Sequence, residues 1–91
     1  MKSHTTTKFR KAFAELPADV QKQARQAYRL FIENPHYPGL RFKSIHPTRP
    51  IYSVRIGLNY RAVGILEEDD LIWYWIGSRA DYDRLIQLFR K

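Results

Sequence analysis

Three arginines stand apart from the apolar runs that surround them. In PIYSVRIGLNYRAVGIL, residues 50–66, Arg55 and Arg61 interrupt two stretches whose alternation suits half-buried β-strands. Arg79 follows a third such run, LIWYWIGS, at 71–78. A turn made of Gly57, Leu58 and Asn59 pairs Ile56 with Tyr60, and it then sets Arg55 directly across from Arg61 on one sheet face. Like charges opposed on neighbouring strands destabilise a sheet. Folding alone does not select them. An anion held between them removes the repulsion, and guanidinium groups match the paired oxygens of a phosphate. The plainer alternative is that each arginine snorkels over apolar surface or pairs with Glu67, Glu68 or Asp83. With Arg79 at the end of the next strand, the anion site is the favoured reading.

The elements that must position these residues follow from breakers and periodicity. Thr5–Thr7 offer helix-capping hydroxyls, and Phe9, Phe13 and Leu16 recur at helical spacing. Pro17 ends this first helix and opens a second, along which Val20, Ala24, Ala27, Tyr28 and Phe31 form an apolar stripe. The second helix stops by Asn34-Pro35, so residues 7–33 form a helical hairpin. Between the breaker-rich segments NPHYPG and HPTRP lies a short possible strand, 40–45. Strands are expected over 51–56, 60–66 and 71–77. Ser78 then caps a last helix whose Tyr82, Leu85, Ile86 and Phe89 share one face.

The hairpin register also predicts which side each strand residue faces. Gly64 opposite Trp73 and Ala62 opposite Trp75 set small residues against large ones, with Tyr52, Val54, Ile56 and Leu66 beside them on the helix-facing side. Ser53, Arg55, Arg61, Val63, Tyr74 and Ile76 take the other side. A turn of Leu58 and Asn59 alone slips this pattern and sets Ile56 across from Arg61. The expected fold class is α+β: a helical hairpin packed on a three- to four-stranded antiparallel sheet, with a C-terminal helix, as one domain over 1–91.

Composition bounds the partners. The 91 residues carry 16 Lys+Arg against 9 Asp+Glu, a formal charge of +7 that favours a polyanionic partner. The absence of cysteine excludes a disulfide scaffold, a thiol nucleophile and cysteine-ligated zinc. His4 and His36 have no ligand spacing with each other or with carboxylates, so neither a metal nor another cofactor is implied. The start MKSHTTTKFRK lacks a signal peptide's apolar core, and no run reaches the roughly 18 apolar residues of a membrane span. A cytoplasmic protein with no membrane partner is expected.

The helix pair followed by YSVRIGLNYRAVGIL and LIWYWIGSRADYDRL resembles the RelE/ParE toxin superfamily of bacterial toxin–antitoxin systems. NPHYPGLRFK and the ending IGSRADYD are similar to the small HigB-type and RelE-like members. The resemblance covers nearly the whole chain, except that the usual first strand is missing or reduced to a few residues around Ser3–Thr6. It implies a metal-independent endoribonuclease that cuts mRNA on the ribosome, the RNA 2′-hydroxyl attacking the adjacent phosphate. It also implies a cognate antitoxin as protein partner. Arg55, Arg61 and Arg79 match the family's catalytic basic positions, and Tyr82 its site-closing aromatic residue. The family's second lysine is a serine here, Ser53. His46 is a candidate general base because histidine titrates near neutrality. Lys43, Arg49 and Ser53 are candidate RNA contacts. Two other functions fit the same fold: a ParE-like inhibitor of DNA gyrase, and a degenerate member that binds RNA or protein without cutting.

Overall fold

The computed structural model describes residues 2–89. Its strands are β1 (Lys2–Thr5), β2 (Lys43–Ser44), β3 (Ile51–Ile56), β4 (Tyr60–Glu67) and β5 (Asp70–Ser78). Its helices are α1 (Thr7–Ala14), α2 (Ala18–Glu33) and α3 (Arg79–Leu88). The strands form one five-stranded sheet in the order β1-β5-β4-β3-β2. The β3–β4–β5 meander is antiparallel, and β1 runs parallel to β5. None of the described helices is long and apolar enough to cross a membrane.

Local signals explain most of these boundaries. Thr6 caps α1 by accepting the Phe9 N–H through Oγ1 at 3.1 Å. The α1–α2 corner is held by Gln21, whose Nε2 donates to the carbonyls of Phe13, Ala14 and Leu16 at 3.1–3.2 Å. Ser78 caps α3 by accepting the Asp81 N–H at 3.2 Å. The β3–β4 turn is Gly57-Leu58-Asn59, and Gly57 sits at φ +60°, a left-handed conformation that a β-carbon disfavours.

The sheet separates two apolar layers. On the back, Phe9 and Phe13 of α1 and Ala24 and Phe31 of α2 pack against Val54, Ile56, Ala62, Trp73 and Ile76. On the front, Tyr82, Leu85, Ile86 and Phe89 pack against Ile51, Val63 and Trp75.

Three expectations need correction. The sheet is mixed and has five strands, because residues 2–5 do form β1. KSHT is polar and does not alternate, so periodicity cannot reveal it. Pairing with β5 and a 2.9 Å hydrogen bond from the Trp73 indole to Ser3 hold it in place. Within the expected strand 40–45, only Lys43–Ser44 pairs, while Pro38–Leu40 form a 3-10 turn. Third, Trp75 and Ile76 exchange faces. A bulge between Val63 and Gly64 leaves Tyr74 without a partner, so Ala62 lies opposite Ile76 and Val63 opposite Trp75. Gly64 and Trp73 do face each other as expected.

Candidate active site

Above α3's N-terminus, the front of the sheet carries rows of side chains set by strand pairing. Lys43 pairs with Ser53, Ser53 with Val63, and Val63 with Trp75. In the next row, Arg55 pairs with Arg61, and Arg61 with Gly77. Directly paired residues project to the same side. The front therefore holds Lys43 and both arginines. Gly77 leaves space in its row, and Trp75 folds into it: a β-carbon on Gly77 would lie 2.8 Å from the indole. The first turn of α3 is tied to the hairpin by the Arg79 N–H, which donates to the Asn59 carbonyl at 2.7 Å.

These elements enclose a hollow of about 200 Å³ lined by Arg41, Lys43, Arg55, Arg61 and Arg79, with Ser53, Tyr82 and Asp83. Its floor is neutral and buried. Ser53 is 2% exposed and Tyr82 6%, and their hydroxyl oxygens lie 2.9 Å apart in a hydrogen bond. The Arg61 guanidinium stands over the Tyr82 ring, 5.9 Å from its centroid. Arg55 donates from Nε to the Gly57 carbonyl at 2.9 Å, and Arg61 from a terminal nitrogen to the Tyr60 carbonyl at 2.8 Å. Each guanidinium keeps further donors for a ligand.

Electrostatically the hollow is under-compensated. Among the described residues, neither Arg55 nor Arg61 forms an ion pair with a carboxylate; Arg84 pairs with Asp81, and His4 Nε2 lies 3.8 Å from an Asp70 carboxylate oxygen. Burial, followed by the Arg79 and Arg55 cations, lowers the Arg61 pKa from its ordinary value. Tyr82 opposes that shift, and Arg41 adds to it. A bound anion relieves the same repulsion. The arrangement can grip a phosphate and stabilise charge that develops on it.

Of the residues singled out in the sequence, the structure brings Arg55, Arg61, Arg79, Tyr82, Ser53 and Lys43 to this hollow. His46 and Arg49 are not among its lining. The His46 Nδ1 accepts the Thr48 and Arg49 backbone N–H groups at 3.1 and 3.0 Å, and its ring lies 5.3 Å from that of Phe89. It braces its own loop. The position where the family's second lysine is missing has a lysine on the neighbouring strand, since Lys43 pairs with Ser53.

Sequence reasoning missed Arg41 and Asp83 as lining residues. Arg41 ends the 3-10 turn in a left-handed conformation, φ 48° and ψ 45°. The signal was the alternation in LRFK, where Leu40 is buried and Arg41 and Lys43 are exposed. Asp83 follows Arg79 by one helical turn, a spacing that sets two side chains on one helix face.

An α+β sheet bearing a hollow with five cationic side chains and one carboxylate is suited to an anionic ligand. The chain belongs to the ParE-like toxin domain family, whose sequence model matches residues 18–84. That membership sets it within the RelE/ParE superfamily. The fold is similar to a chain of the RelB–RelE antitoxin–toxin complex from Methanococcus jannaschii. Identity there is 22% and TM-score 0.65, covering 88% of this chain and 95% of that one. It is also similar to a chain of the RelE–RelB complex from Pyrococcus horikoshii OT3, at 14% identity and TM-score 0.68, covering 86% and 93%. YafQ from E. coli BL21(DE3) aligns at 12% identity and TM-score 0.67, covering 89% and 96%. Comparison with curated protein sequences finds no match.

Proposed function

We propose that this chain is the toxin of a toxin–antitoxin pair and that its basic hollow cleaves mRNA on the ribosome without a metal. The observation that carries the reading is the directly opposed Arg55–Arg61 pair, unmatched by carboxylates and flanked by Arg79. In the proposed reaction, a ribose 2′-oxygen attacks the adjacent phosphorus and the 5′-oxygen leaves. Arg61 and Arg55 hold the phosphate oxygens, whose negative charge grows toward the transition state. Their mutual repulsion falls most where that charge is greatest, so the pair favours the transition state over the ground state. Arg79 faces the leaving side, and Tyr82 gives the hollow a rigid aromatic floor. Lys43, Arg41 and, farther out, Arg49 position the RNA backbone.

The partner that silences such a toxin is an antitoxin. Two of the similar structures are RelE–RelB complexes, and the chain's formal charge of +7 suits a segment that brings carboxylates to the same face. A second reading, inhibition of DNA gyrase, is favoured by one observation: Ser53 is neutral, buried and bonded to Tyr82, which leaves that strand position without its own cation.

Inducible expression of the wild type beside Arg61→Ala tests both readings. The nuclease reading expects primer-extension stops in transcripts within minutes for the wild type, and none for the variant. Growth arrest with DNA-damage signalling and intact transcripts establishes the gyrase reading instead.

A further inference from the structure

Attack by a 2′-hydroxyl needs a group that removes its proton, and the arginines cannot serve. Guanidinium groups stay protonated in proteins. The hollow's lining offers five cationic side chains, Arg41, Lys43, Arg55, Arg61 and Arg79. Its two hydroxyls, those of Ser53 and Tyr82, are buried and bonded to each other. His46 lies outside the lining, with Nδ1 occupied by two backbone N–H groups. One group remains.

Asp83 lines the hollow, is exposed, and stands one helical turn beyond Arg79 on α3. Among the described residues it forms no ion pair: the carboxylate paired on this helix is that of Asp81, with Arg84. A carboxylate offers oxygen lone pairs and no N–H, so it can take a proton where the cationic side chains can only donate. As a mere binding surface for RNA, the site gains nothing from it, because it repels phosphate. Its presence among five cations is a cost to affinity that a proton acceptor explains.

We propose that Asp83 is the general base of the reaction, an inference that rests on the nuclease reading above. The 2′-hydroxyl proton passes to the Asp83 carboxylate as the 2′-oxygen–phosphorus bond forms. The phosphorus–5′-oxygen bond then breaks, its electron pair stays on the 5′-oxygen, and that oxygen takes a proton from water. The products are a 2′,3′-cyclic phosphate and a 5′-hydroxyl end. Asp83 regains its charge by losing the proton to solvent.

The test uses the purified full-length chain and ribosomes programmed with a short mRNA, under single turnover. It compares the wild type with Asp83→Asn, Asp83→Glu and Asp83→Ala. Binding is measured separately, on an mRNA carrying a 2′-O-methyl group at the cleavage site. Asp83→Asn should slow cleavage by about 100-fold or more, the usual scale for losing a general base. It should bind the 2′-O-methyl RNA as tightly as the wild type or tighter, since a repelling charge is gone. Asp83→Glu should keep part of the rate, and imidazole in the buffer should restore part of the Asp83→Ala rate. Cleavage by Asp83→Asn within about threefold of wild type overturns the proposal. So does a slow variant whose loss is matched by weaker binding and whose Ala counterpart imidazole does not rescue. If the wild type cuts no RNA while still arresting growth, the nuclease reading falls first and the base with it.

Discussion

The two faces of the sheet carry hollows of opposite character. Behind it, between the helix pair and β3–β5, lies a space of about 590 Å³ lined by core residues such as Phe9, Phe13, Phe31, Trp73 and Ile76. In front is the hollow of about 200 Å³ with five cationic side chains over a serine–tyrosine floor. The larger space is lined mostly by apolar side chains, with Arg10, Arg25 and Arg29 along it. The smaller one combines opposed cations, a carboxylate and a rigid aromatic ring. Size follows how loosely the helix pair covers an apolar sheet. Chemistry follows from where the chain tolerates charge repulsion. The back face is therefore expected to govern stability and the front face activity, and substitutions on each side can break that division.

The largest effect belongs to the back. Trp73 is 4% exposed, meets Phe31 edge-on at 5.4 Å and fills the space opposite Gly64. Trp73→Ala should cost about 3–5 kcal/mol, a large share of the reserve of a small domain. Trp75 lies half-buried on the front against Tyr82, 6.3 Å between ring centroids, so Trp75→Ala should cost less and loosen α3. Urea melts of the two variants give the comparison. Equal losses would mean that the bulge does not separate the tryptophans as described.

Next comes the clamp. Arg61→Ala should lower cleavage by about two orders of magnitude, the scale for one lost transition-state donor. Its melting temperature should stay level or rise, because a like-charge contact disappears. Arg61→Lys should recover only part of the rate, since an ammonium keeps the charge but loses the planar fork. An Arg61→Ala protein that melts lower and still arrests growth would make this arginine a tether.

How far these contrasts were legible in the sequence depends on the range of the signal. The helix ends were legible because Pro17, Pro35 and Ser78 act locally. So was the hairpin register, because Gly57 and the alternation on either side leave few choices. The Arg55–Arg61 opposition followed from that register alone. The bulge at Tyr74 was not legible, since one inserted residue breaks no composition rule and its effect emerges only in pairing with β4. Gly77 was the overlooked hint, a gap in the front row that accommodates the Trp75 ring. β1 was left open, as missing or reduced to a few residues around Ser3–Thr6, because an edge strand can be polar throughout and still pair. Arg41 and Asp83 escaped because neither belongs to a strand of the meander; the 3-10 turn and the helical period bring them in.

A smaller effect should come from the floor, where the two roles meet. Ser53→Ala strands the Tyr82 hydroxyl and Tyr82→Phe strands that of Ser53, each costing about 1–3 kcal/mol if water does not replace the lost partner. The double variant should cost less than the sum of the singles, because the second change removes a group already unpaired. Cleavage should fall less in either single variant than in Arg61→Ala, since the ring that supports Arg61 remains. A chemical denaturation cycle with matched cleavage rates checks both points. Strict additivity would deny the hydrogen bond, and a Tyr82→Phe rate as low as that of Arg61→Ala would give the hydroxyl itself a chemical role.

The smallest effect lies at Tyr74, the residue that the bulge leaves unpaired and packs against the front cluster. Burial raises the Tyr74 phenol above its ordinary value near 10. In the folded chain it therefore keeps its proton at a pH where the unfolded chain has released it. Raising the pH above about 10 then favours the unfolded state, and stability falls until the folded phenol also ionises. Below that window, the shift has no effect on stability. Tyr74→Phe removes this ionisation, so the variant should lose less stability than the wild type between neutral and strongly alkaline pH. The difference between the two chains, followed by denaturant melts at a series of pH values, should be flat to about pH 9 and open above it. Parallel curves throughout would mean that Tyr74 is as well hydrated in the folded chain as in the unfolded one. The bulge would then turn its ring outward, away from the front layer that Trp75 helps to build.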